Sequence, residues 1–555
     1  MSPIEPGKTD CDVLVVGAGP TGLMAATLLK RQGVDVRIVE KRAEPSRESR
    51  AFAIQARSLE LFLSIGLADR VLRDGFISHT VDLYSGGKHV GGMDFDRAGS
   101  PDTPFQFIYL LPQSETEAIL IEDLARQGIE VERGLEIHGL EQDDDGVVVR
   151  GSKAGGGETT IRARYAIGAD GAHSIVRKSL GLSFEGAPYP QTFLLADCRV
   201  SWPLDHGRFR VFVHGSSIGL FLPLGGESRS RLMAIDRSAH GESGETGPAA
   251  MELHELEAAF REASGMEVAL SDAVWTSRYR VHHRSVNRYA IGRVFLAGDA
   301  AHIHSPAGGQ GMNTGLQDAA NLAWKLALAI REEAGEGLLA TYDAERRPVG
   351  AQVVSRSDRL FEAMAGRSGW EATIRDWLAW PVGAAISHMP SIQHRAFRMI
   401  GELDITYDAG RFVEDSASKL GDAGPAPGSR APNAAVARHR DVFDLISGYA
   451  FTVLALSRRP LDAREAAPVA DGLASLCAAA DGIPIRAHLV SRTSNGRNPR
   501  IVFVEDAAVF DAYGLAGTDA QATYLIRPDG YVAWRSDGLD IEGCRRFLAR
   551  FHGAS

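Results

Sequence analysis

The feature that most narrows the fold lies near the amino terminus, where the β-branched run DVLVV (12–16) enters GAGPTG (17–22) and leaves as LMAATLLKRQG, with apolar residues at helical spacing. That succession reads as strand, tight turn and helix. A second run, VDVRIVE, ends on Glu40, 18 residues beyond Gly22 and close to the roughly 20-residue offset of the dinucleotide-binding βαβ unit. Gly17 permits the turn, Gly19 lets a pyrophosphate approach the backbone, and Gly22 lets the helix pack closely on the strand. Pro20 and Thr21 open the helix, whose free amides and positive dipole end favour phosphate. Glu40, followed by Lys41, offers a carboxylate to ribose hydroxyls. A lone GxGxxG is as readily a glycine turn without a ligand; its place between strand and helix, with the acidic residue in position, argues against that. FAD and NAD satisfy the unit equally.

Two further segments pass from strand to glycine. YAIGADGAHSIVRKSLGL (165–182) sets an apolar strand before Asp170 and Gly171, then Ser174 and Arg177 on a helix. GRVFLAGDAAHIHSPAGGQGMNTGLQDAANLAWKLALAI (292–330) carries the strand VFLAG, the Gly298–Asp299 pair, a glycine-rich loop and a long apolar helix expected from Asn313. Singly, Asp170 reads as a turn aspartate and Asp299 as a helix cap. In this order and spacing, the three segments resemble the class A flavoprotein monooxygenases, the family of para-hydroxybenzoate hydroxylase, phenol hydroxylase and the polyketide aromatic hydroxylases. The resemblance covers essentially the whole chain.

It implies an α/β protein. A Rossmann-like, glutathione-reductase-type FAD-binding domain is expected from residues 1–75, 105–182 and 280–370, with an inserted β-sheet substrate-binding domain at 76–104 and 183–279. A helical region (371–421), a linker (422–432) and a thioredoxin-like carboxyl-terminal domain without CxxC (433–555) follow. No second strand–GxGxxG–helix unit is present in the sequence, so the resemblance implies NAD(P)H as a transient reductant of non-covalent FAD. Dioxygen would then form a flavin hydroperoxide that hydroxylates a phenolic or polycyclic aromatic substrate. Baeyer–Villiger oxidation or epoxidation on the same fold, and a flavin- or ligand-binding protein without turnover, stay open at this point.

The resemblance also assigns residues. Gly298 and Asp299 belong to the ribityl-contacting motif, and Gly309, Gly311, Met312 and Asn313 belong beside the pyrimidine edge of the flavin. A helix starting there would stabilise negative charge on reduced flavin. Gln113 in YLLPQSETEAIL matches a flavin-contacting glutamine, and Asp170 is expected near the phosphates of both cofactors. Arg50 matches a pyrophosphate-facing arginine, or equally is a surface charge among the five basic residues from Lys41 to Arg57. Pro306, the catalytic candidate, is placed on the substrate side, its carbonyl toward a phenolic hydroxyl. His302 and His304 read as structural, and no metal-ligand set accompanies them.

Alternating stretches RFRVFVHG, SIGLFLPLGG and SRLMAID predict a sheet over the flavin. Phe212, Phe221, Pro223 and Leu224 are candidate pocket residues, although sheet core is the commoner role for such residues. Arg278, between Trp275 and Tyr279, is a pocket or surface charge.

Composition excludes other classes. The 555 residues suit about three domains of roughly 100–200 residues. The net charge of −11 lacks the footprint of a nucleic-acid binder. No apolar run reaches the roughly 18–20 residues of a membrane span, and MSPIEPGKTD is no signal peptide, so a cytoplasmic enzyme is expected. Cys11, Cys198, Cys477 and Cys544 show no disulfide or metal spacing. A tail without CxxC points to packing or subunit contact, a homodimer included, rather than redox chemistry, with Asp529 and Gly530 as a hairpin turn.

Overall fold

The computed structural model describes residues 9–45, 51–215, 217–225, 229–236, 251–303, 309–331, 334, 337–365, 389–420, 424–478, 484–492, 498, 500–504 and 506–551, with backbone alone at 190, 281 and 357–365. Arg50, His304 and Pro306 lie outside these residues.

The amino-terminal strand Cys11–Val16 is buried along almost its whole length, as a strand covered on both faces must be. It runs parallel to Val36–Glu40 on one side and to Glu158–Gly168 on the other, and Glu158–Gly168 runs parallel in turn to Val294–Leu296. All three glycine motifs therefore leave the carboxyl ends of adjacent parallel strands. The helix Pro20–Arg31 and the long helix Gly311–Ile330 pack together on this sheet; in the latter every residue from Met312 to Leu328 is buried.

A second sheet of eight strands runs in the order His302–Ile303, Ala269–Ser285, Glu185–Ser201, Arg229–Asp236, Ser217–Pro223, Phe209–His214, Thr80–Ser85 and Lys88–Asp94. Its pairings are antiparallel except that of Phe209–His214 with Thr80–Ser85. The helix Leu253–Ser264 covers one face, held at its start by a capping box from Glu252 and Glu255. Apolar residues of the other face belong to the same core as the first sheet.

A third, mixed sheet centres on the fully buried strand Phe451–Ser457, parallel to Ile485–Ser491 and antiparallel to Gln521–Ile526. It joins the first unit through buried charge. Arg527 pairs with Glu345 (2.7 Å) and with Asp529; Lys325 of the long helix donates to the same glutamate at 2.8 Å. Arg430 reaches Glu60 (3.1 Å) and Asp102 (2.6 Å), and with Ala431 it is buried although both fall in the expected linker. Asp529 thus does more than close a hairpin: its carbonyl accepts from Arg57. Among the described residues, no helix is long and apolar enough to cross a membrane, and no cluster of three His, Cys, Asp or Glu could hold a metal.

Candidate functional site

The site forms where the parallel strands end. Gly17 takes φ +104°, and a Cβ there would lie 2.3 Å from the Ala169 carbonyl oxygen; a Cβ on Gly22 would lie 2.0 Å from the Gly17 oxygen. Only glycine fits either position. A Cβ on Gly19 would meet nothing within 4 Å, so the cradle opens at this residue alone of the three. Gly19 caps the helix without a side-chain acceptor, and no acidic residue stands in the first turn. Its leading amides and dipole end are open to an anion.

Glu40, 6% exposed, accepts from the Ala18 amide at 2.9 Å and from the Arg42 amide and guanidinium at 3.0 and 3.1 Å. Burial opposes its charge, but these bonds hold its carboxyl below the usual range. The basic partner is Arg42; Lys41 is exposed. Thr21 is half-buried, and Cβ atoms on Gly298 and Gly315 would meet its hydroxyl at 2.6 and 2.2 Å, so it packs against both of these glycines. Pro20 is buried at the first helical position.

Asp170 accepts from Ser174 Oγ at 2.5 Å and from the Ile175 and Val176 amides at 2.7 and 3.3 Å. Burial nevertheless pushes its carboxyl up. Arg177 ties this motif to the next, donating to the carbonyls of Ala172 (2.7 Å) and Ala300 (3.0 Å). Gly298 has φ +58° and donates its amide to Asp318 at 3.1 Å; Asp318 also receives His302 (2.8 Å) and Arg346 (2.8 Å). His302 thus occupies a buried structural network. Asp299 stands exposed on the turn Gly298–Ala300.

The long helix starts at Gly311, two residues earlier than expected, because Asn313 is already inside its first turn. No side chain caps this start, and no acidic residue stands in the first turn. Gly309 has φ +62°, and Met312 is almost wholly buried. The Asn313 side chain is engaged within the protein, which leaves its expected place beside the flavin to the backbone. The side chain accepts from the Gln55 amide (2.9 Å) and donates to the carbonyls of Ala53 (2.9 Å) and Gly309 (2.8 Å), so it shapes the loop. Gln113 opens the helix Gln113–Arg126, donates to Glu117 at 2.8 Å and accepts from the Ala51 amide at 3.4 Å.

Phe212 and Phe221 take the sheet-core role, and Arg278 that of a paired charge, readings the sequence had left open beside the pocket. Both phenylalanines pack with Tyr84, Trp202 and Phe260 beneath the helix Leu253–Ser264, and Arg278 pairs with Glu255 of the same segment. Pro223, two residues beyond Phe221, shares its face by strand alternation, while Leu224 is half-buried past the strand end. The face turned toward the first unit carries the alternate residues: Phe193, Leu195, Leu220, Leu222, Met233 and Tyr279. Beside them Arg231, fully buried, binds Asp197 through two bonds of 2.6 and 2.8 Å. Trp275 donates to the same carboxylate at 2.9 Å. The strands' period of two was visible in the sequence; which phase faces the site was not.

The open amide cradle, the buried ribose-type carboxylate and the uncapped long helix, set along the ends of adjacent strands, fit an extended dinucleotide. Comparison with known proteins agrees. Residues 10–357 match the family model described as FAD binding domain, and residues 424–555 that described as aromatic-ring hydroxylase, C-terminal. Rifampicin monooxygenase of Streptomyces venezuelae is 35% identical over 73% of this chain and 81% of its own length. Pentachlorophenol 4-monooxygenase of Sphingobium chlorophenolicum is 31% identical over 96% of this chain and 95% of its own. Aklavinone-11 hydroxylase, solved with FAD and aklavinone, superposes with a TM-score of 0.77 at 28% identity, covering 98% of this chain and 99% of that one. The chain belongs to the FAD-dependent aromatic-ring monooxygenases. Its cofactor is FAD, with NAD(P)H as reductant and dioxygen as co-substrate.

Proposed function

We propose that the chain hydroxylates a phenolic or polycyclic aromatic molecule held between FAD and the apolar sheet face of Phe193, Leu195, Leu220, Leu222, Met233 and Tyr279. The observation that carries this reading is the meeting of an apolar sheet face with an uncapped helix start at the ends of three glycine-terminated parallel strands. The named substrates of relatives, rifampicin, pentachlorophenol and aklavinone, support an aromatic ligand of this kind.

In this proposal the Gly17–Gly22 turn and the helix from Pro20 hold the pyrophosphate, and Glu40 accepts from ribose hydroxyls. Asp170 and Asp299 line the path of the sugar-phosphate chain, and Gly309, Gly311, Met312 and Asn313 present backbone at the ring end. Bound there, FAD supplies the two-electron chemistry that links NAD(P)H oxidation to dioxygen activation. The chain itself binds, orients and excludes water. Pro306 keeps its proposed place on the substrate side.

The architecture that goes with this reading is a discontinuous FAD-binding domain of glutathione-reductase type, an inserted substrate-binding sheet and a thioredoxin-like carboxyl-terminal domain. Purified protein should show the absorbance of oxidised flavin, and phenols or polycyclic aromatics should stimulate its NAD(P)H oxidation with one atom of labelled dioxygen in a hydroxylated product. A ring-expanded or epoxidised product refutes hydroxylation; flavin absorbance with no stimulation by any aromatic refutes the substrate class.

A further inference from the structure

Glu402 lies just past the helix Pro390–Ile400, outside every motif read from the sequence. Its φ is +56°, a left-handed conformation costly for a residue with a Cβ, and it is 3% exposed. Its carboxyl is aimed at the first two turns of the long helix, where Oε1 lies 3.1 Å from Thr314 Oγ1 and Oε2 accepts from Gln317 Nε2. The same turn is tied down on either side. Gln310 donates to the Met399 carbonyl at 3.1 Å, and the Arg57 amide donates to the Gly401 carbonyl at 3.1 Å.

The hydrogen count favours a protonated acid. The Thr314 hydroxyl has one proton but two oxygen neighbours, Glu402 Oε1 at 3.1 Å and the Gln310 carbonyl at 3.0 Å. With an ionised Glu402, one of these contacts faces acceptor to acceptor. With a protonated Glu402 both are satisfied: the acid O–H donates to Thr314 Oγ1, and the Thr314 O–H donates to the Gln310 carbonyl. Among the described residues no cation pairs with Glu402; Arg346, the nearest guanidinium named by its electrostatics, is committed to Asp318 (2.8 Å), the Thr314 carbonyl (3.2 Å) and Tyr407 (3.3 Å). The other titratable groups facing the junction are Asp318 on the long helix and His302 behind it.

We propose that Glu402 is a positioning residue of the flavin-facing loop, carried as a neutral carboxylic acid whose proton completes the chain Glu402–Thr314–Gln310 and fixes the start of the long helix. This rests on the reading that the helix start contacts FAD. Burial pushes the Glu402 carboxyl up to about 7, so the chain is complete below neutrality and breaks above it. The sign follows from linkage. The folded protein holds this proton more tightly than the unfolded chain does, so stability falls as pH rises from the ordinary carboxyl range through about 7.

The test compares wild-type and Glu402→Gln full-length enzyme, measuring FAD release on dilution by flavin fluorescence and the thermal unfolding midpoint, from pH 6 to 8.5. Glutamine keeps a donor for Thr314 and an acceptor for Gln317 but has no proton to lose. The FAD dissociation constant of the wild type should rise with pH above neutrality, by up to tenfold per unit for a fully coupled proton. That of Glu402→Gln should stay flat, at the wild type's low-pH value. The unfolding midpoint of the wild type should fall relative to the variant from pH 6 to just above 7 and then run parallel to it. Identical pH profiles for the two proteins overturn the inference. If the protein binds no FAD at any pH, the flavin reading fails, and the unfolding comparison still decides the state of Glu402.

Discussion

The glycine cradle makes a paired prediction in which fold and ligand separate. Gly19→Ala adds a methyl where no atom lies within 4 Å, at an extended φ of −77° open to any residue. The folded chain should lose no more than about 1 kcal/mol, the scale of an altered helix cap. The same methyl would stand between the backbone and a pyrophosphate. Each charge-assisted bond lost from an anion is worth about 1.5–3 kcal/mol, so the FAD dissociation constant should rise roughly 10- to 100-fold. Gly22→Ala reverses the pattern. Its methyl would sit 2.0 Å from the Gly17 oxygen of the same turn and 3.3 Å from the Ala169 Cβ, just past the neighbouring strand Glu158–Gly168. Relief requires the helix Pro20–Arg31 to shift against its strand, an overpacking cost of about 1–3 kcal/mol. Urea unfolding of the flavin-free chain and titration with FAD by fluorescence quenching measure the two effects apart. Wild-type FAD affinity in Gly19→Ala, or wild-type unfolding in Gly22→Ala, would refute the reasoning about this cradle.

Other perturbations follow from charge. Glu40→Gln should keep the fold and weaken FAD by about tenfold, the worth of one charge-assisted bond, with quenching titration as the check. Glu345→Gln leaves Arg527 and Lys325 buried without their shared carboxylate and should cost about 3–5 kcal/mol in urea unfolding. Burial opposes the charge of Glu345, but Arg527 and Lys325 hold its carboxyl down to about 2. The wild type should therefore lose stability as pH falls below the ordinary carboxyl range, and Glu345→Gln should lack that loss; equal acid profiles would contradict it. Arg231→Lys cannot keep both bonds to Asp197 and should lower stability by about 1.5–3 kcal/mol, measured the same way.

Much of the first unit was legible because its signals are local. A β-branched run entering glycines, an acidic residue at a set offset and 3.6-residue periodicity are satisfied by neighbours along the chain, and the strand Cys11–Val16, the helix Pro20–Arg31 and Glu40 stand where that logic puts them. The long helix was equally readable, apart from a start two residues early, since Gly311 and Met312 give no stop signal before Asn313.

The facing layer was not legible. Strand alternation divides Phe212 and Phe221 from Leu220 and Leu222, and Arg278 from Tyr279, but both sets are apolar or ambiguous, and only the helix Leu253–Ser264 chooses one face for itself. The bracing bonds of the Asn313 side chain were not readable, because its partners Ala53 and Gln55 lie some 260 residues away. Glu402 carried no signal at all, its environment being made by Thr314 and Gln317 of a distant helix. By itself the sequence determined the class of chain, its cofactor motifs and the elements that bear them, since those depend on backbone conformation over a few residues. Tertiary structure alone decided which sheet face meets the site, which polar side chains brace rather than bind, and where a buried acid stays neutral, since desolvation and hydrogen-bond partners are properties of packed surfaces and not of neighbouring letters.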